Sequence, residues 1–381
     1  MRLPNGDIYL DYNATTPIDP RVIEAMNSYQ TNEFGNPSSS HKLGQNARDA
    51  VELARTQVAG LLRCHPKEVV FTSGGSESNN LALKGIVNRY THKGQHIIIS
   101  AVEHPAISQV TNYLMNHGFR ISYLPVDDQG VVRVKDLQDI ITSKTILVSV
   151  MHANNEVGSI QPIQEIARIT HDAGALLHTD AAQSASKIPV HVDSLHCDML
   201  SIAGHKLYGP KGVGALYIKT GLSVEPLIHG ADHEGGVRAG TENVAGLVGL
   251  GEAAEIARLE LEVESERLSQ LRNELQSKLK HAFPEIRINA MGSHRLPNTL
   301  SISFPDLHAL DIMEAAEGLM MSAGAACHSG DGKGSGVLEA MGVPLKYQIG
   351  TLRISLGRFC DADTVDQAFD ILSNTVSLIK S

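Results

Sequence analysis

One stretch of the sequence has the residue types and the order that could bind a phosphate group. In Phe71–Asn80 (FTSGGSESNN), a β-branched run gives way to two glycines and then to a helix start rich in Ser and Glu. Exposed backbone N–H groups at a helix N-terminus attract phosphate, and the hydroxyls of Ser73 and Ser76 would add donors. An ordinary serine helix cap has the same pattern. On this stretch alone, both interpretations stay open.

Two further stretches place an ionisable side chain directly after an apolar run. Asp180 in HTDAAQ follows such a run, and a buried carboxylate needs a cationic or hydrogen-bonding partner. The protonated ring nitrogen of pyridoxal phosphate (PLP) is one such partner, and capping of the next helix is the alternative. Lys206 stands in SIAGHKLYGPKGVG. A lysine of lowered pKa can form a Schiff base, although most loop lysines are solvated. The order of the three stretches favours a PLP site.

The elements that must position these stretches alternate in type between about residues 46 and 218. The short runs are almost continuously apolar, which is typical of strands covered on both faces. The predicted strands are Glu68–Thr72, His96–Ser100, Arg120–Leu124, Thr145–Met151, Ala175–Thr179, Met199–Ala203 and Val213–Ile218. Helices are predicted between several of them, for example over 46–61, 78–90 and 105–116. This alternation predicts an α/β fold with a mostly parallel sheet.

The last third of the chain has a different pattern. Residues 247–283 lack proline and carry leucines at helical spacing, which predicts one long helix leading out of the first domain. A smaller α+β domain is predicted beyond this helix. We therefore predict a large domain over residues 15–255 and a small domain formed by residues 1–14 and 256–381.

Cys327 has the sequence surroundings expected of a nucleophilic thiol. Such a thiol must be reachable and at least partly ionised. Cys327 stands in the middle of Ser322–Gly336 (SAGAACHSGDGKGSG), which has five glycines in fifteen residues and could act as a flexible tether. Cys64, Cys197 and Cys360 lie next to apolar segments, and we interpret them as structural thiols.

Composition narrows the class of protein. The net charge of −10 over 381 residues argues against direct nucleic-acid binding, which needs clustered Lys and Arg. Four cysteines are too few for a disulfide-rich secreted scaffold. The N-terminus lacks the layout of a signal peptide, and no apolar run approaches the roughly 18 residues of a membrane span. We predict a cytoplasmic protein without membrane contact. We also predict no metal site, since no second ligand cluster accompanies His229–Glu234 (HGADHE).

Further motifs follow one another at a familiar spacing. They are YLDYNATTPIDPRV, FGNPSSSH, FTSGGSESNNLALKG, EHPA, HANNEVGSIQPI, HTDAAQ, GHKLYGPKGVGALY, RAGTENV, GAACHS and LRISLGRF. In this order they resemble the aminotransferase class V group of PLP enzymes, and within it the cysteine desulfurases of the nitrogen-fixation and housekeeping iron–sulfur type. The resemblance runs nearly end to end. It implies PLP as cofactor, a fold-type I large domain with a mixed seven-stranded sheet, and a homodimer with the active site between domains and subunits.

The resemblance also implies how the cofactor would be held. Lys206 would bind PLP as a Schiff base, and Asp180 would keep the ring nitrogen protonated. Gln183 would donate to the phenolic oxygen, and His104 would stack on the ring and exchange protons. Gly75, Ser76 and His205 would hold the phosphate, and Thr241 of the partner subunit would also contact it.

For the substrate, the resemblance implies recognition by Asn155, which would also touch the cofactor, and by Arg353. These residues would bind the carboxylate of L-cysteine. Cys327 would then attack the substrate sulfur, so that L-alanine leaves and a persulfide remains for an acceptor protein.

The sequence departs from the family pattern at two positions and in the cysteine segment. Ala203 stands where a serine commonly contacts the phosphate, and Ser76 replaces a threonine. GAACHS also resembles the cysteine segments of selenocysteine lyases and of the desulfurases of DNA phosphorothioation systems. The predicted sulfur destination is therefore DNA phosphorothioation or iron–sulfur cluster assembly, with a weak preference for the former. A selenocysteine lyase and, in a different class, a non-catalytic scaffold protein are the alternatives.

Overall fold

The computed structural model describes residues 1–324 and 335–380. The largest of its sheets has seven strands. The strands of this sheet are β2 (Val69–Thr72), β3 (His96–Ser100), β4 (Arg120–Leu124), β5 (Thr145–Ser149), β6 (Leu176–Asp180), β7 (Met199–Ala203) and β8 (Gly214–Ile218). They lie in the order β2-β8-β7-β6-β5-β3-β4. β8 is antiparallel to both neighbours, and the other pairs are parallel. The predicted mixed, mostly parallel sheet is confirmed.

Helices surround the sheet and extend beyond it. In chain order they are α1 (Pro20–Thr31), α2 (Lys42–Leu62), α3 (Gly75–Tyr90), α4 (Pro105–Met115), α5 (Val134–Ile140), α6 (Ile163–Asp172), α7 (Val192–Leu195), α8 (Val244–Ala282), α9 (Ala309–Ala315), α10 (Gly336–Ala340), α11 (Leu345–Gln348) and α12 (Ala362–Lys380). No helix of the described ranges combines the length and the hydropathy that a membrane span needs.

Both faces of the sheet are buried because successive side chains of a strand point to opposite sides. Val70 and Leu216 belong to a hydrophobic cluster with α3 and α4. Their chain neighbours Phe71 and Ala215 belong to a different cluster, with α2, α6 and the first half of α8. This arrangement explains why the strands read as continuous apolar runs rather than as alternating ones.

A second sheet is formed by the last third of the chain. Its strands are β9 (Arg287–Ile288), β10 (Thr299–Ser303), β12 (Ser322–Ala323) and β13 (Thr351–Ser355), paired antiparallel in the order β12-β13-β10-β9. The N-terminal β1 (Ile8–Tyr9) pairs in parallel with β11 (Leu319–Met320). The start of the chain therefore packs against its last third.

Helix α8 runs from one apolar cluster to another. Leu247 and Leu250 pack with the large sheet, whereas Leu268 and Leu275 pack in the cluster that also holds Leu10 of the N-terminal segment. The long helix predicted over 247–283 is confirmed, with a start three residues earlier. The division into domains at residues 14–15 and 255–256 stays a prediction.

Several predicted element ends shift by a few residues, for identifiable reasons. Asp180 does not follow β6 but ends it, since it still pairs with Ser201 of β7. The strand predicted to reach Met151 ends at Ser149, because the backbone N–H of Met151 turns to the carboxylate of Glu103. Helix α2 begins at Lys42 rather than near residue 46, because His41 accepts a hydrogen bond from the N–H of Gly44 and acts as the cap.

Candidate active site

The candidate site lies where the parallel strands end. The carboxyl ends of β2, β3, β5, β6 and β7 share one edge of the sheet, because β2 and β7 are both antiparallel to β8. Ligands of open α/β sheets bind in the crevice outside this edge. The segments that follow these strands carry the three chemical motifs found in the sequence.

A cavity of about 340 Å³ opens at this edge, within the range of roughly 300–1,000 Å³ typical of small-molecule sites. The predicted site residues that line it are Gly75, Ser76, His104, Asn155, Asp180, Gln183, His205 and Lys206. These eight residues come from five separate segments, so the fold and not local sequence brings them together.

Asp180 is buried, and its carboxylate is held in a fixed orientation. Oδ1 accepts a hydrogen bond from the N–H of Ala182 at 2.9 Å, and Oδ2 accepts one from Nδ2 of Asn79 at 2.7 Å. Asn79 lies one turn inside α3, and its own Oδ1 is buried without a hydrogen-bond partner among the described residues. A carboxylate ordered in this way at a cavity wall can stabilise a cation that enters the cavity.

Lys206 lies in a short 3₁₀ turn (Gly204–Lys206) directly after β7. Its Nζ donates to the backbone carbonyls of Asn13, at 2.5 Å, and Ala14, at 2.8 Å. Burial, reinforced by the nearby charge of Arg353, lowers the pKa of Lys206 to about 8. A larger fraction of this amine is therefore unprotonated and nucleophilic near neutral pH than for a solvated lysine.

The other end of the cavity has the features of an anion site. Gly74 precedes α3 with a φ of +143°, which suits glycine, and no side chain caps the first turn. The first backbone N–H groups of the helix are thus available to a ligand. An adjoining cavity of about 480 Å³ shares Gly75, Ser76 and His205 and adds Lys211. Gly214 of β8 lets this turn approach closely, since a Cβ there would lie 2.7 Å from the Cα of Gly74.

Two histidines at the cavity have lowered pKa values, which favours the neutral form of each ring. His104 caps α4, and its Nδ1 accepts from the N–H of Ala106 at 3.1 Å, so Nε2 carries the ring proton. Burial lowers the pKa of His104. Nδ1 of His205 lies 3.1 Å from the hydroxyl of Thr15, and burial lowers the pKa of His205 to about 4. Both rings can therefore exchange neutral hydrogen bonds with a ligand.

The amide of Gln183 is held from two sides. Its Nε2 donates to the carbonyl of Asn13 at 2.9 Å. Its Oε1 and its backbone carbonyl face Nζ of the buried Lys187, at 3.5 and 2.9 Å. Burial lowers the pKa of Lys187 to about 7. The amide nitrogen of Gln183 and Nζ of Lys206 therefore share one acceptor, the carbonyl of Asn13.

Arg353 is not among the residues that line the cavity, but it contacts Asn155, which is. This residue of β13 donates from Nη1 to the carbonyl of Asn155 at 3.2 Å. Its Nη2 donates to Asp11 and Ser322, and its Nε is buried without a partner among the described residues.

One further predicted residue of the described ranges, Thr241, is not brought to this cavity. Thr241 is exposed and lines a different pocket, next to Arg238 and Glu242. Cys327 lies outside the described residues. Glu234 of the HGADHE stretch has a separate role, since it pairs with Arg55 and accepts from the N–H of Phe71.

Sequence reasoning missed several residues that shape the site. Asn79 orients Asp180, Asn13 accepts from both Lys206 and Gln183, and Glu103 is half-buried beside His104 with Oε2 unpartnered among the described residues. Burial raises the pKa of Glu103 to about 8. Each of these three residues belongs to a motif named in the sequence analysis. Membership of such a motif was the signal that could have identified them.

Comparison with known proteins identifies the class to which this fold and site belong. The profile of the aminotransferase class V family matches residues 8–368, and the chain belongs to that family, whose enzymes are PLP-dependent. A cysteine desulfurase IscS of Dictyoglomus turgidum is 44% identical over 98% of this chain and 96% of its own length.

Two solved structures extend this likeness. A NifS-like protein has a TM-score of 0.92 and 37% identity, over 98% of this chain and 100% of its own. SspA in complex with cysteine has a TM-score of 0.81 and 35% identity, over 92% of this chain and 98% of its own. The predicted family, fold class and cofactor are confirmed.

The residues present fit PLP. The carboxylate of Asp180 and the amine of Lys206 line one cavity, as the ring nitrogen and the aldehyde of PLP require. The uncapped start of α3 lies at the same cavity and suits the phosphate. Ala203 also lines the cavity and supplies no hydroxyl, so a bound phosphate would rely on backbone N–H groups and on side chains such as Ser76.

Proposed function

We propose that this enzyme is a cysteine desulfurase that converts L-cysteine to L-alanine and leaves the sulfur as a persulfide on Cys327. The observation that carries the proposal is one cavity lined by Lys206, Asp180 and His104, in a chain whose relatives are named cysteine desulfurases. Bound PLP supplies an electron sink for the negative charge that forms at the substrate Cα.

The residues of the chain divide the remaining work. Lys206, with its lowered pKa, holds the cofactor and can return a proton to carbon. Asp180 stabilises positive charge on the ring nitrogen. His104 lines the cavity, its Nδ1 is occupied by the N–H of Ala106 and its pKa is lowered, so the ring can pack on the cofactor and exchange a proton through Nε2. Asn155 and Arg353 bind the substrate carboxylate, for which the planar guanidinium is suited.

The sulfur transfer balances without an added oxidant. The thiolate of Cys327 attacks the substrate sulfur, and an S–S bond forms while the C–S bond breaks. The electron pair of the C–S bond stays with the substrate carbon, which takes up a proton. Cysteine and one thiol thus give alanine and one persulfide. An acceptor protein then removes the outer sulfur.

The oligomeric state, the compartment and the destination of the sulfur are also part of the proposal. We propose a homodimer, and the exposed position of Thr241 supports a contact of this residue with the cavity of the other subunit. We propose a cytoplasmic enzyme that passes sulfur through a protein acceptor, in DNA phosphorothioation or in iron–sulfur cluster assembly. The acidic net charge supports delivery through a protein rather than directly to nucleic acid.

The test is the product formed from two substrates by the PLP-loaded protein. We expect wild-type protein to release L-alanine from L-cysteine and C327S to release none. Alanine from L-cysteine at the wild-type rate in C327S would contradict the persulfide step. Alanine from L-selenocysteine alone would favour the lyase, to which the GAACHS segment is similar. A protein that neither binds PLP nor gives alanine would favour the scaffold.

A further inference from the structure

The guanidinium of Arg353 is surrounded by acceptors on its outer nitrogens. Nη2 donates to Oδ1 of Asp11 at 2.7 Å and to the hydroxyl of Ser322 at 3.0 Å. Nη1 donates to the carbonyl of Asn155 at 3.2 Å. Nε is buried and has no partner among the described residues. Two acceptors therefore occupy the two hydrogens of Nη2.

This distribution restricts how a carboxylate can bind. A guanidinium offers a carboxylate two edges that present a parallel pair of N–H groups, the Nη1–Nη2 edge and the Nε–Nη2 edge. Both edges include Nη2. The donors of Arg353 that remain, on Nε and Nη1, do not share a carboxylate-binding edge. A bidentate carboxylate must therefore take one hydrogen of Nη2 from its present acceptor.

The two acceptors of Nη2 differ in strength. The bond to Asp11 joins opposite charges and is the shorter one, and charge-assisted hydrogen bonds are roughly twice as strong as neutral ones. The bond to Ser322 joins the guanidinium to a neutral hydroxyl. Ser322 and Arg353 face each other across β12 and β13, so the hydroxyl can turn away without any movement of the strands.

We propose that Ser322 is a positioning residue whose hydroxyl holds Nη2 of Arg353 until the substrate carboxylate displaces it, while Asp11 stays bound. The inference rests on the proposed role of Arg353 as carboxylate ligand. Because the exchange replaces a bond that already exists, it weakens the binding of every carboxylate-bearing amine and leaves amines without a carboxylate unaffected.

The test compares two ligands that differ only in the carboxylate. L-Alanine and ethylamine are titrated into PLP-loaded protein, and their dissociation constants are read from the change in the visible absorption of the bound cofactor. In S322A we expect L-alanine to bind roughly three- to tenfold more tightly, which is the size of one neutral hydrogen bond, and ethylamine to bind as in wild type. S322T keeps the hydroxyl, and we expect it to bind both ligands as wild type does.

A second variant checks that the competition is for Nη2. D11A frees one hydrogen of Nη2, so the carboxylate no longer has to displace Ser322. Adding S322A to D11A should therefore change the affinity for L-alanine by less than about twofold, whereas two independent contacts would give additive effects.

The results separate this inference from the proposed function. Unchanged or weaker L-alanine binding in S322A, or an equal change for ethylamine, would overturn the role of Ser322. R353A is the control for the premise: if it binds L-alanine as wild type does, Arg353 is not the carboxylate ligand and the inference fails with it. If wild-type protein forms no persulfide, the proposed function is contradicted. A tighter binding of L-alanine by S322A would still support the role of Ser322.

Discussion

Two walls of the active-site region are held together in different ways. On the cofactor wall, Lys206, His104 and Asp180 each have a backbone partner. Lys206 donates to the carbonyls of Asn13 and Ala14, His104 accepts from the N–H of Ala106, and Asp180 accepts from the N–H of Ala182 as well as from Asn79. On the substrate wall, both partners of Nη2 of Arg353 are side chains, those of Asp11 and Ser322, while Nη1 donates to the carbonyl of Asn155. A side chain can turn aside for a ligand at less cost than a backbone segment can. The cofactor wall is therefore preorganised, and the substrate wall is exchangeable.

Removing the amine of the cofactor wall should have the largest effect. In K206A we expect the turnover rate to fall by more than about a thousandfold, because no other group on this wall can hold the cofactor covalently. Borohydride reduction followed by peptide mapping should locate PLP on Lys206 in wild type and on no residue in K206A. The matched control is K187M, which alters the other buried lysine and should still carry PLP on Lys206. Cofactor fixed to another lysine in wild type would contradict the assignment.

The next largest effect is expected from D180N. An amide cannot stabilise positive charge on the ring nitrogen, so we expect kcat to fall by roughly 10²–10³-fold, as is usual when a preorganised electrostatic group is removed. The measurement is the rate of alanine formation at saturating PLP. N79A is the companion variant, since it loosens Asp180 without removing its charge and should lose less activity. A rate in N79A below that of D180N would contradict the view that the charge of Asp180 matters more than its orientation by Asn79.

His104 should show a smaller effect that depends on pH. We expect H104Q to bind PLP and to form alanine about a hundredfold more slowly, within the range of general acid–base catalysis. Burial lowers the pKa of His104, so wild-type activity should hold down to a pH below the ordinary histidine pKa and then fall as the ring becomes protonated. This acid limb should be absent in H104Q. If H104Q lost activity at low pH as wild type does, that loss would belong to a titrating group other than His104.

The last prediction concerns stability and not the reaction. The pKa of Lys187 is about 7 in the folded protein and near 10.5 when unfolded. The unfolded chain therefore binds more protons between these values, and the free energy of unfolding rises with pH across that window. In denaturation of PLP-free protein at pH 7 and 10, wild type should gain about 3 kcal/mol relative to K187M. Equal pH dependence in both proteins would show that Lys187 stays charged when folded.

The strands and the segments at their ends could be predicted from the sequence because each depends on local pattern. Apolar runs gave the strands of the large sheet to within a few residues, and His104, Asp180 and Lys206 each lie at or just after such a run. Parallel strands then bring their carboxyl ends to one edge. For these residues, the predicted strand ends were sufficient to predict that they lie at one edge of the sheet.

The substrate wall could not be predicted in the same way. Asp11 meets Arg353 across 342 positions of the chain, and Ser322 reaches it through the register of β12 with β13. Asn79 meets Asp180 through the rotation of α3 about its axis. Register and rotation are set by long-range packing, and neither leaves a trace in local hydropathy or spacing. The burial of Lys187 and Glu103 is hidden for the same reason.

The most direct test of the central claim is a single turnover of PLP-loaded protein with less than one equivalent of L-cysteine. Alanine is quantified, and the persulfide is trapped by alkylation and located by peptide mass. We expect alanine and persulfide in equal amounts, with the additional sulfur on Cys327. Alanine without any sulfur on Cys327, or a persulfide on Cys64, Cys197 or Cys360 instead, would contradict the account.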